Sequence, residues 1–346
     1  MDDMCVWHAA PYALNAACEK LASTITANPK NPNSHRHHLK KHSIATDMTT
    51  APILLFVYNR PEHTKLTIEA LRNNTLASES TLYIYSDAAR NEADTAKVNE
   101  VRKVIQSVDG FKEINIIERD KNWGLARSII DGVTSVVNKY GRVIVLEDDL
   151  VTAPYFLQFM NDALETYRDE PRVGHIYACE YTQNRALPDT YLIKFTGSWG
   201  WATWDRAWKK FNPDGQYLLN ELQRRKLTRT FDFNGTYGYT RMLQRQVEGK
   251  NNSWAIRWNA SLFLNDMLSL NAGKSLVRNI GFDGSGTHCG SDRLYDTILH
   301  TAPLPVIKIS PIEESKIGRT SLEQYYRRTN SLWAKAIRRI RRIIRF

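Results

Sequence analysis

The chain has 346 residues, of which 42% are hydrophobic and 24% charged, and this composition predicts a globular protein with a sizeable core. No apolar run approaches the roughly 20 residues that a transmembrane helix needs, and Asp2 and Asp3 stand where a secretory signal is basic, so neither a membrane span nor export is expected. Four scattered cysteines without a C-x-x-C pair argue against a disulfide framework or a zinc site and fit reduced thiols in the cytoplasm.

The net charge of +10 is concentrated near the carboxyl end of the chain. Residues 325–346 include eight basic residues and no acidic one, so the rest of the chain holds only two of the ten excess positive charges. A charge confined to one tail describes the tail and not the fold. We therefore expect no nucleic-acid binding by the globular part.

The first 49 residues differ in composition from the rest of the chain. They contain Asn-Pro pairs and a histidine-rich run at residues 35–42, and no ligand spacing supports that run as a metal site. We predict that residues 1–49 form a disordered extension.

From residue 51 the sequence alternates between apolar runs and amphipathic segments. The predicted strands are Ile53–Tyr58, Leu82–Ser86, Ile114–Ile117 and Val143–Leu146. The predicted helices cover about Pro61–Asn73, Asp94–Ser107, Leu125–Tyr140 and Tyr155–Tyr167. This alternation predicts βαβ units, and hence an α/β fold with a mostly parallel central sheet and helices on both faces. Beyond residue 167 we expect an aromatic and irregular region.

Polar residues follow three of the predicted strands. Arg60 follows the first strand, Asp87 the second, and the triplet Glu147-Asp148-Asp149 the fourth. Because parallel sheets bind ligands at the carboxyl ends of their strands, we expect these side chains to share one edge. Two or three carboxylates there repel one another unless a cation or hydrogen-bond donors compensate. Their oxygens suit Mg²⁺ or Mn²⁺ bridging to substrate phosphates. The alternative is a solvated acidic turn that caps the next helix.

The segment Arg142–Phe156 around the triplet resembles the metal-binding stretch of N-acetylglucosaminyltransferase I and its protein O-mannose relatives. Val57–Pro61 resembles the first strand and nucleotide-contacting arginine of that family, Ser86-Asp87 its uracil-holding aspartate, and Gly197–Trp201 its segment beneath the donor sugar. The resemblance covers roughly residues 52–287 and extends to a wider set of bacterial sugar transferases. It implies a Rossmann-like nucleotide-diphospho-sugar transferase fold of the GT-A type, which we place at residues 50–310.

The resemblance also implies a role for each matching residue. Arg60 and Asp87 would contact the nucleotide base. Glu147 would face the donor sugar, Asp148 the ribose, and Asp149 the Mn²⁺ or Mg²⁺ ion.

Four further residues are candidates for substrate binding. Asn122 and Arg127 lie in a stretch that matches the family less well, and Arg127 at a helix start suits a diphosphate or is a surface arginine. Trp199 and Trp201 suit stacking on a sugar ring, although so many neighbouring tryptophans usually include core residues.

The general base of the family is missing at the matching position. In the relatives an aspartate lies between two aromatic residues, whereas Trp254–Trp258 contains no carboxylate. Asp283, in a glycine-rich loop, and Asp205, beside the tryptophans, are the candidates to deprotonate the acceptor hydroxyl. His288 is a candidate metal or diphosphate ligand, or a structural histidine.

Residues 311–346 are predicted to form a linker and a basic amphipathic helix. An apolar stripe of Trp333, Ile337, Ile340 and Ile344 lies opposite the arginines, which suits an anionic membrane surface. A helix docked on the domain and an RNA-binding arm are the alternatives.

These features predict a metal-dependent glycosyltransferase, either a hexosyl- or an N-acetylhexosaminyltransferase of polysaccharide biosynthesis. It would move a sugar from a UDP-sugar to a hydroxyl of a glycan or lipid-linked acceptor, at the cytoplasmic face of the cell membrane. One alternative is a catalytically inactive carbohydrate-binding or membrane-adaptor protein. Another is a nucleotidyltransferase, which would normally carry a glycine-rich, basic phosphate loop where Tyr58–Pro61 stands.

Overall fold

The computed structural model of the chain describes residues 49–283 and 295–331. The predicted N-terminal extension except for residue 49, the candidate ligand His288, and residues 332–346 of the predicted basic helix lie outside these ranges. Within them, no helix has both the length and the apolar character that a bilayer crossing requires.

The described residues form ten strands in two sheets. The strands are β1 (Ile53–Val57), β2 (Thr81–Ser86), β3 (Glu113–Glu118), β4 (Arg142–Glu147), β5 (Leu150–Thr152), β6 (Val173–Tyr177), β7 (Thr190–Ile193), β8 (Trp201–Trp204), β9 (Leu268–Ala272) and β10 (Val277–Asn279). The α-helices are α1 (Pro61–Arg72), α2 (Glu92–Gln106), α3 (Leu125–Tyr140), α4 (Phe156–Thr166), α5 (Asp205–Trp208), α6 (Gly215–Arg224), α7 (Thr228–Phe231), α8 (Tyr239–Val247), α9 (Trp254–Leu264) and α10 (Lys316–Asn330).

The central sheet has the strand order β3-β2-β1-β4-β8-β6-β9-β7, and β5 pairs with β10 separately. Six strands of the central sheet run in the direction of β1, whereas β8 and β7 run the opposite way. The α/β class with a mostly parallel central sheet, predicted from the sequence, is confirmed.

The helices cover both faces of the parallel half of the sheet. The chain moves outward from β1 to β2 and β3, and α1 and α2 contact each other along this path. It then returns through α3 to place β4 on the other side of β1, and right-handed crossovers put α3 on the opposite face. Gly132 of α3 permits this approach, since an added Cβ would lie 2.8 Å from the Phe56 ring. The strand order therefore reverses between β1 and β4, where open α/β sheets bind their ligands.

The region beyond residue 167 is more regular than the sequence predicts. It contains β6 to β9 and α5 to α9, around a core in which the Trp201 ring stacks on Trp254 with centroids 5.1 Å apart. The strands have four or five residues each and are buried almost throughout, so they show no alternation of apolar and polar residues.

Helix α10 lies beyond the predicted domain boundary at residue 310 and is packed against the rest. Leu322, Tyr325 and Tyr326 are buried. The Tyr326 hydroxyl forms hydrogen bonds with those of Tyr181 and Tyr239, at 2.7 and 2.9 Å. The packed part of the chain therefore extends to about residue 330.

Candidate active site

The ends of β1 and β4 form the centre of the candidate site. Phe56 lies opposite Glu147 in the parallel register, so the loop after β1 reaches the triplet after β4. Arg60, at the start of α1, places Nη1 2.9 Å from Asp149 Oδ2. Both side chains are largely buried. The structure thus brings together two candidate residues that lie 89 positions apart.

The negative charge of the triplet Glu147-Asp148-Asp149 is only partly balanced by the nearby Arg60 guanidinium. Burial raises the pKa of all three carboxyl groups, and that of Asp148 reaches about 7. Repulsion from the neighbouring acids adds to the raised pKa of Glu147 and of Asp148, whereas the Arg60 guanidinium acts against the rise in all three. One guanidinium does not compensate for three carboxylates that are buried or partly buried, so a further cation would bind favourably here.

Asp148 is turned toward the protein. Its Oδ2 accepts a hydrogen bond from the Tyr58 amide at 3.2 Å, and its carbonyl oxygen accepts one from Thr67 Oγ1 at 2.8 Å. These bonds join the end of β4 to the loop after β1 and to α1. The predicted contact between Asp148 and a ribose stays a prediction.

Strand β10 brings a glycine-rich turn against the triplet. It pairs with β5, which follows the triplet directly, and the Ile280 amide donates to the Asp149 carbonyl at 2.9 Å. The Gly281 carbonyl lies 3.4 Å from Arg60 Nη2. A Cβ at position 281 would lie 2.2 Å from Asp149 Oδ2, so a larger residue there would force the Asp149 side chain to shift.

Asp283 reaches the site from this turn. Its Oδ1 lies 3.7 Å from Arg60 Nη2, and its Oδ2 lies 3.1 Å from His63 Nε2. The Asp283 side chain is 46% exposed, so solvent reaches the carboxylate. Sequence reasoning missed His63, and the available signal was its position in the first turn of the helix that Arg60 begins.

Asp87 organises two loops at the end of β2. Its Oδ1 accepts hydrogen bonds from the amides of Ala88 and Trp123, at 3.0 and 2.8 Å, and its Oδ2 accepts one from Gly124 at 2.8 Å. Asn122 Nδ2 donates to the Ala88 carbonyl at 2.7 Å. Asp87 and Asn122 thus hold the loop after β2 against the loop before α3, and their contacts with a nucleotide stay predictions.

Arg127 lies exposed in the first turn of α3, at the same edge of the sheet. Its guanidinium stacks 4.0 Å from the Trp123 ring centroid, and Arg119 stacks on the same ring at 3.8 Å. No acidic residue lies in this first turn, so the helix start and Arg127 together make a positive region. This geometry suits a phosphate.

The two candidate tryptophans have different surroundings. Trp199 is partly buried and contacts the Phe282 and Tyr295 rings edge-on, with centroids 5.5 and 5.4 Å away, so it lies next to the Asp283 turn. Trp201 has no exposed surface and belongs to the core cluster with Trp254. The assignment of Trp201 to sugar stacking is therefore wrong, because a fully buried ring cannot contact a substrate.

Asp205 lies away from the site. Strand β8 runs antiparallel to β4, so Trp204 lies opposite Arg142 at the start of β4, and the Asp205 amide donates to the Gly141 carbonyl. The triplet follows the other end of β4, about 20 Å away at 3.3 Å per residue. Asp205 pairs instead with Lys209 at 2.7 Å and is not a candidate base.

The carboxylates present fit a divalent ion held partly by substrate. Among residues 49–283 and 295–331, no three His, Cys, Asp or Glu side chains are grouped as ligands of one ion. Mg²⁺ and similar ions commonly bind through one or two carboxylates, with substrate phosphates and water completing the shell. Asp149, at the carboxyl edge of the sheet, could supply one such carboxylate.

The chain is similar to solved structures of enzymes that use sugar nucleotides, but it matches no protein-family model and none of the curated protein sequences. A mannosyltransferase from Pyrobaculum calidifontis, solved with GDP-mannose and Mn²⁺, is 11% identical over 62% of this chain and 76% of that one, with a TM-score of 0.35. Mouse xyloside xylosyltransferase 1 is 11% identical over 63% and 83% of the two chains, with a TM-score of 0.34. A UDP-glucose pyrophosphorylase solved with UDP-glucose is 10% identical over 64% of this chain and 90% of that one, with a TM-score of 0.32. All three TM-scores lie below 0.5, so the functional proposal rests on the residues of this chain.

Proposed function

We propose that the chain is a glycosyltransferase that depends on Mn²⁺ or Mg²⁺ and moves a sugar from a UDP-sugar to a hydroxyl of a glycan or lipid-linked acceptor. The observation that carries this proposal is the meeting of Arg60 and Asp149, 2.9 Å apart, where the strand order reverses between β1 and β4. Burial raises the pKa of Glu147, Asp148 and Asp149, and the Arg60 guanidinium offsets only part of that rise. Such a cluster favours a divalent cation and, through it, a diphosphate.

The metal would be held by Asp149 together with substrate oxygens, and when bound it would neutralise charge on the departing nucleoside diphosphate. Arg60 and Asp87 would bind the nucleotide. A carboxylate offers about four acceptor directions, and three backbone amides occupy only three of those of Asp87. The remaining one on Oδ2 suits the N3–H of uracil.

The sugar and the diphosphate would lie between the loops that carry the remaining candidates. Arg127 and the start of α3 suit the diphosphate because both present positive charge. The partly buried ring of Trp199 suits the apolar face of a sugar. Glu147 would face the sugar hydroxyls.

Asp283 would act as the base. As the acceptor oxygen bonds to the anomeric carbon, the bond from that carbon to the diphosphate oxygen breaks. The hydroxyl proton passes to the Asp283 carboxylate, and the nucleoside diphosphate leaves with the bonding electrons. The 46% exposure of the Asp283 side chain leaves room for an acceptor to approach.

We also propose that the enzyme works in the cytoplasm, peripherally on the inner face of the cell membrane. The support is the basic, amphipathic pattern of residues 331–346. A membrane-bound acceptor is the natural substrate of a catalytic domain with such a tail.

Thermal unfolding with UDP, UDP-glucose and UDP-N-acetylglucosamine, each with and without Mn²⁺, tests the proposal. A ligand of the native state present at 100 times its Kd stabilises by about 2.7 kcal/mol. We expect a Tm increase of several degrees that depends on Mn²⁺, and we expect Asp149→Asn to lose the metal-dependent part. Asp169→Asn, at a position 83% exposed, is the matched control.

Two results would contradict the assignment. A metal-dependent shift that survives in Asp149→Asn would remove Asp149 from the metal site. A wild-type protein that no UDP ligand stabilises with Mn²⁺ would overturn the proposed function. Product analysis separates the alternatives, because a glycosyltransferase releases UDP from a UDP-sugar, whereas a nucleotidyltransferase releases pyrophosphate from UTP and a sugar phosphate. Binding without turnover would indicate an inactive carbohydrate-binding protein.

A further inference from the structure

The aspartates at the carboxyl edge of the sheet differ in their exposure to solvent. Asp87 accepts three backbone hydrogen bonds, and Asp148 is 9% exposed and bonded to the Tyr58 amide. Asp149 is largely buried and paired with Arg60. Asp283 is the most exposed of these four, so an incoming hydroxyl can reach its carboxylate.

Two side chains from one helical turn hold the Asp283 carboxylate. His63 Nε2 lies 3.1 Å from Oδ2, and Arg60 Nη2 lies 3.7 Å from Oδ1. His63 is the third residue of α1, whose start is fixed by Pro61 at its first position and by hydrogen bonds from Thr64 to the Arg60 carbonyl. The His63 side chain is only 16% exposed, so its ring is confined.

We propose that His63 is a positioning residue that orients Asp283 as the base of the transfer reaction, an inference that rests on the proposed glycosyltransferase function. A hydrogen bond from Nε2–H to Oδ2 fixes the rotation of the carboxylate about its Cβ–Cγ bond. Arg60 then faces the other oxygen on the protein side. The Asp283 side chain is 46% exposed, so an acceptor hydroxyl can approach the carboxylate that takes its proton. As the acceptor oxygen bonds to the anomeric carbon, the bond from that carbon to the diphosphate oxygen breaks.

This role differs from that of an ion pair that only fastens the turn at residues 280–283. The turn is also held by the bond from the Ile280 amide to the Asp149 carbonyl and by a bond from the Gly281 amide to the Asn279 side chain. Loss of the His63 ring nitrogen would therefore leave the turn attached. It would remove the orientation of the carboxylate, which affects turnover more than donor binding.

Hydrolysis of UDP-glucose and UDP-N-acetylglucosamine with Mn²⁺, with water as the acceptor, provides the assay, since the same base would serve water. We expect Asp283→Asn to lower kcat about 100-fold, as expected for a general base. We expect His63→Phe to lower kcat about tenfold while the KM for the donor and the Kd for UDP with Mn²⁺ change less than about twofold. His63→Gln retains an N–H donor near the position of Nε2 and should recover most of the lost turnover. Lys65→Ala, on the exposed side of the same helix, is the control.

The double variant His63→Phe with Asp283→Asn gives the sharpest test. If His63 acts through Asp283, the double variant is no slower than Asp283→Asn alone, whereas independent effects would multiply. Multiplying effects, an unchanged kcat in His63→Phe, no recovery in His63→Gln, or equal losses in kcat and UDP binding would each overturn the role of His63. A wild-type chain that does not bind UDP with Mn²⁺, or that binds it and turns over no UDP-sugar, would instead overturn the proposed function itself.

Discussion

The Tyr58 amide donates a hydrogen bond to Asp148 Oδ2 at 3.2 Å, and this bond joins the ends of β1 and β4 across 90 positions of the chain. The contact holds a carboxylate in a buried position next to Asp149. Burial and this neighbouring charge raise the pKa of Asp148 to about 7. The site therefore keeps a carboxyl group that is costly to ionise in the absence of a further cation.

Asp148→Asn should make the ligand-free protein more stable at pH 8. The pKa of Asp148 is higher in the folded chain than its ordinary value of 3.8, so the folded state binds more protons between about pH 4 and 7 and stability falls as pH rises through that window. Asparagine carries no charge and still offers an oxygen to the Tyr58 amide. The gain is at most about 4 kcal/mol, at about 1.4 kcal/mol per pKa unit, and should vanish below about pH 4. Urea unfolding at pH 8, 6 and 4 measures it, and a gain that is independent of pH would contradict the assignment.

Asp87→Ala should affect both stability and nucleotide selectivity. The amides of Ala88, Trp123 and Gly124 lose their acceptor, and leaving such groups unpaired costs about 1–3 kcal/mol each where water cannot replace it. We expect a lower unfolding free energy, weaker UDP binding and less discrimination between UDP and GDP. Asp87→Asn, which keeps one acceptor oxygen, should be more stable than Asp87→Ala. Calorimetry measures the Kd values for UDP and GDP. If Asp87 only holds the two loops together, the ratio of these values in Asp87→Ala will equal that of the wild type.

His175→Phe should destabilise the protein and reduce its acid sensitivity. The fully buried imidazole accepts a hydrogen bond from Trp258 Nε1 at 3.1 Å and bonds the Gly197 carbonyl through Nε2 at 3.0 Å. Burial lowers the pKa of His175 from 6.5 to about 3, so its contribution to stability is present above about pH 6.5 and is lost as pH falls toward 3. We expect a loss of about 2–4 kcal/mol at pH 7 and a shallower decline between pH 6 and 4, both measured by urea unfolding. An equally steep decline in the variant would assign the acid sensitivity to other groups.

Removal of residues 332–346, the basic tail, should abolish binding to anionic membranes. Anionic liposomes should capture the full-length chain but not a chain ending at Ser331, and salt should weaken capture only partly because burial of the apolar stripe is not screened. An RNA-binding arm would instead lose its partner steeply with salt. Ile337→Ser with Ile344→Ser, which keeps every arginine, should abolish most of the capture in a liposome sedimentation assay. Undiminished capture of that variant would leave only a nonspecific basic tail.

The local pattern of the sequence determined the first half of the fold and the position of the triplet. Apolar runs such as Ile53–Val57 alternate with amphipathic segments. Both patterns can be recognised from residues that are close together in the sequence. This alternation predicts parallel strands, and the carboxyl ends of parallel strands meet at one edge of the sheet. Arg60, Asp87 and the triplet could therefore be placed at that edge before any contact between distant residues was known.

Only the tertiary structure decided which side chains meet at that edge. The antiparallel direction of β8 moves Asp205 to the far end of β4, and the pairing of β10 with β5 brings Asp283 to His63. The packing of Trp201 against the core removes its ring from the substrate. Each of these outcomes depends on strand direction and register between segments that are far apart in the chain. Such pairings are set by the packing of the whole core, and the spacing of residues within a segment does not encode them.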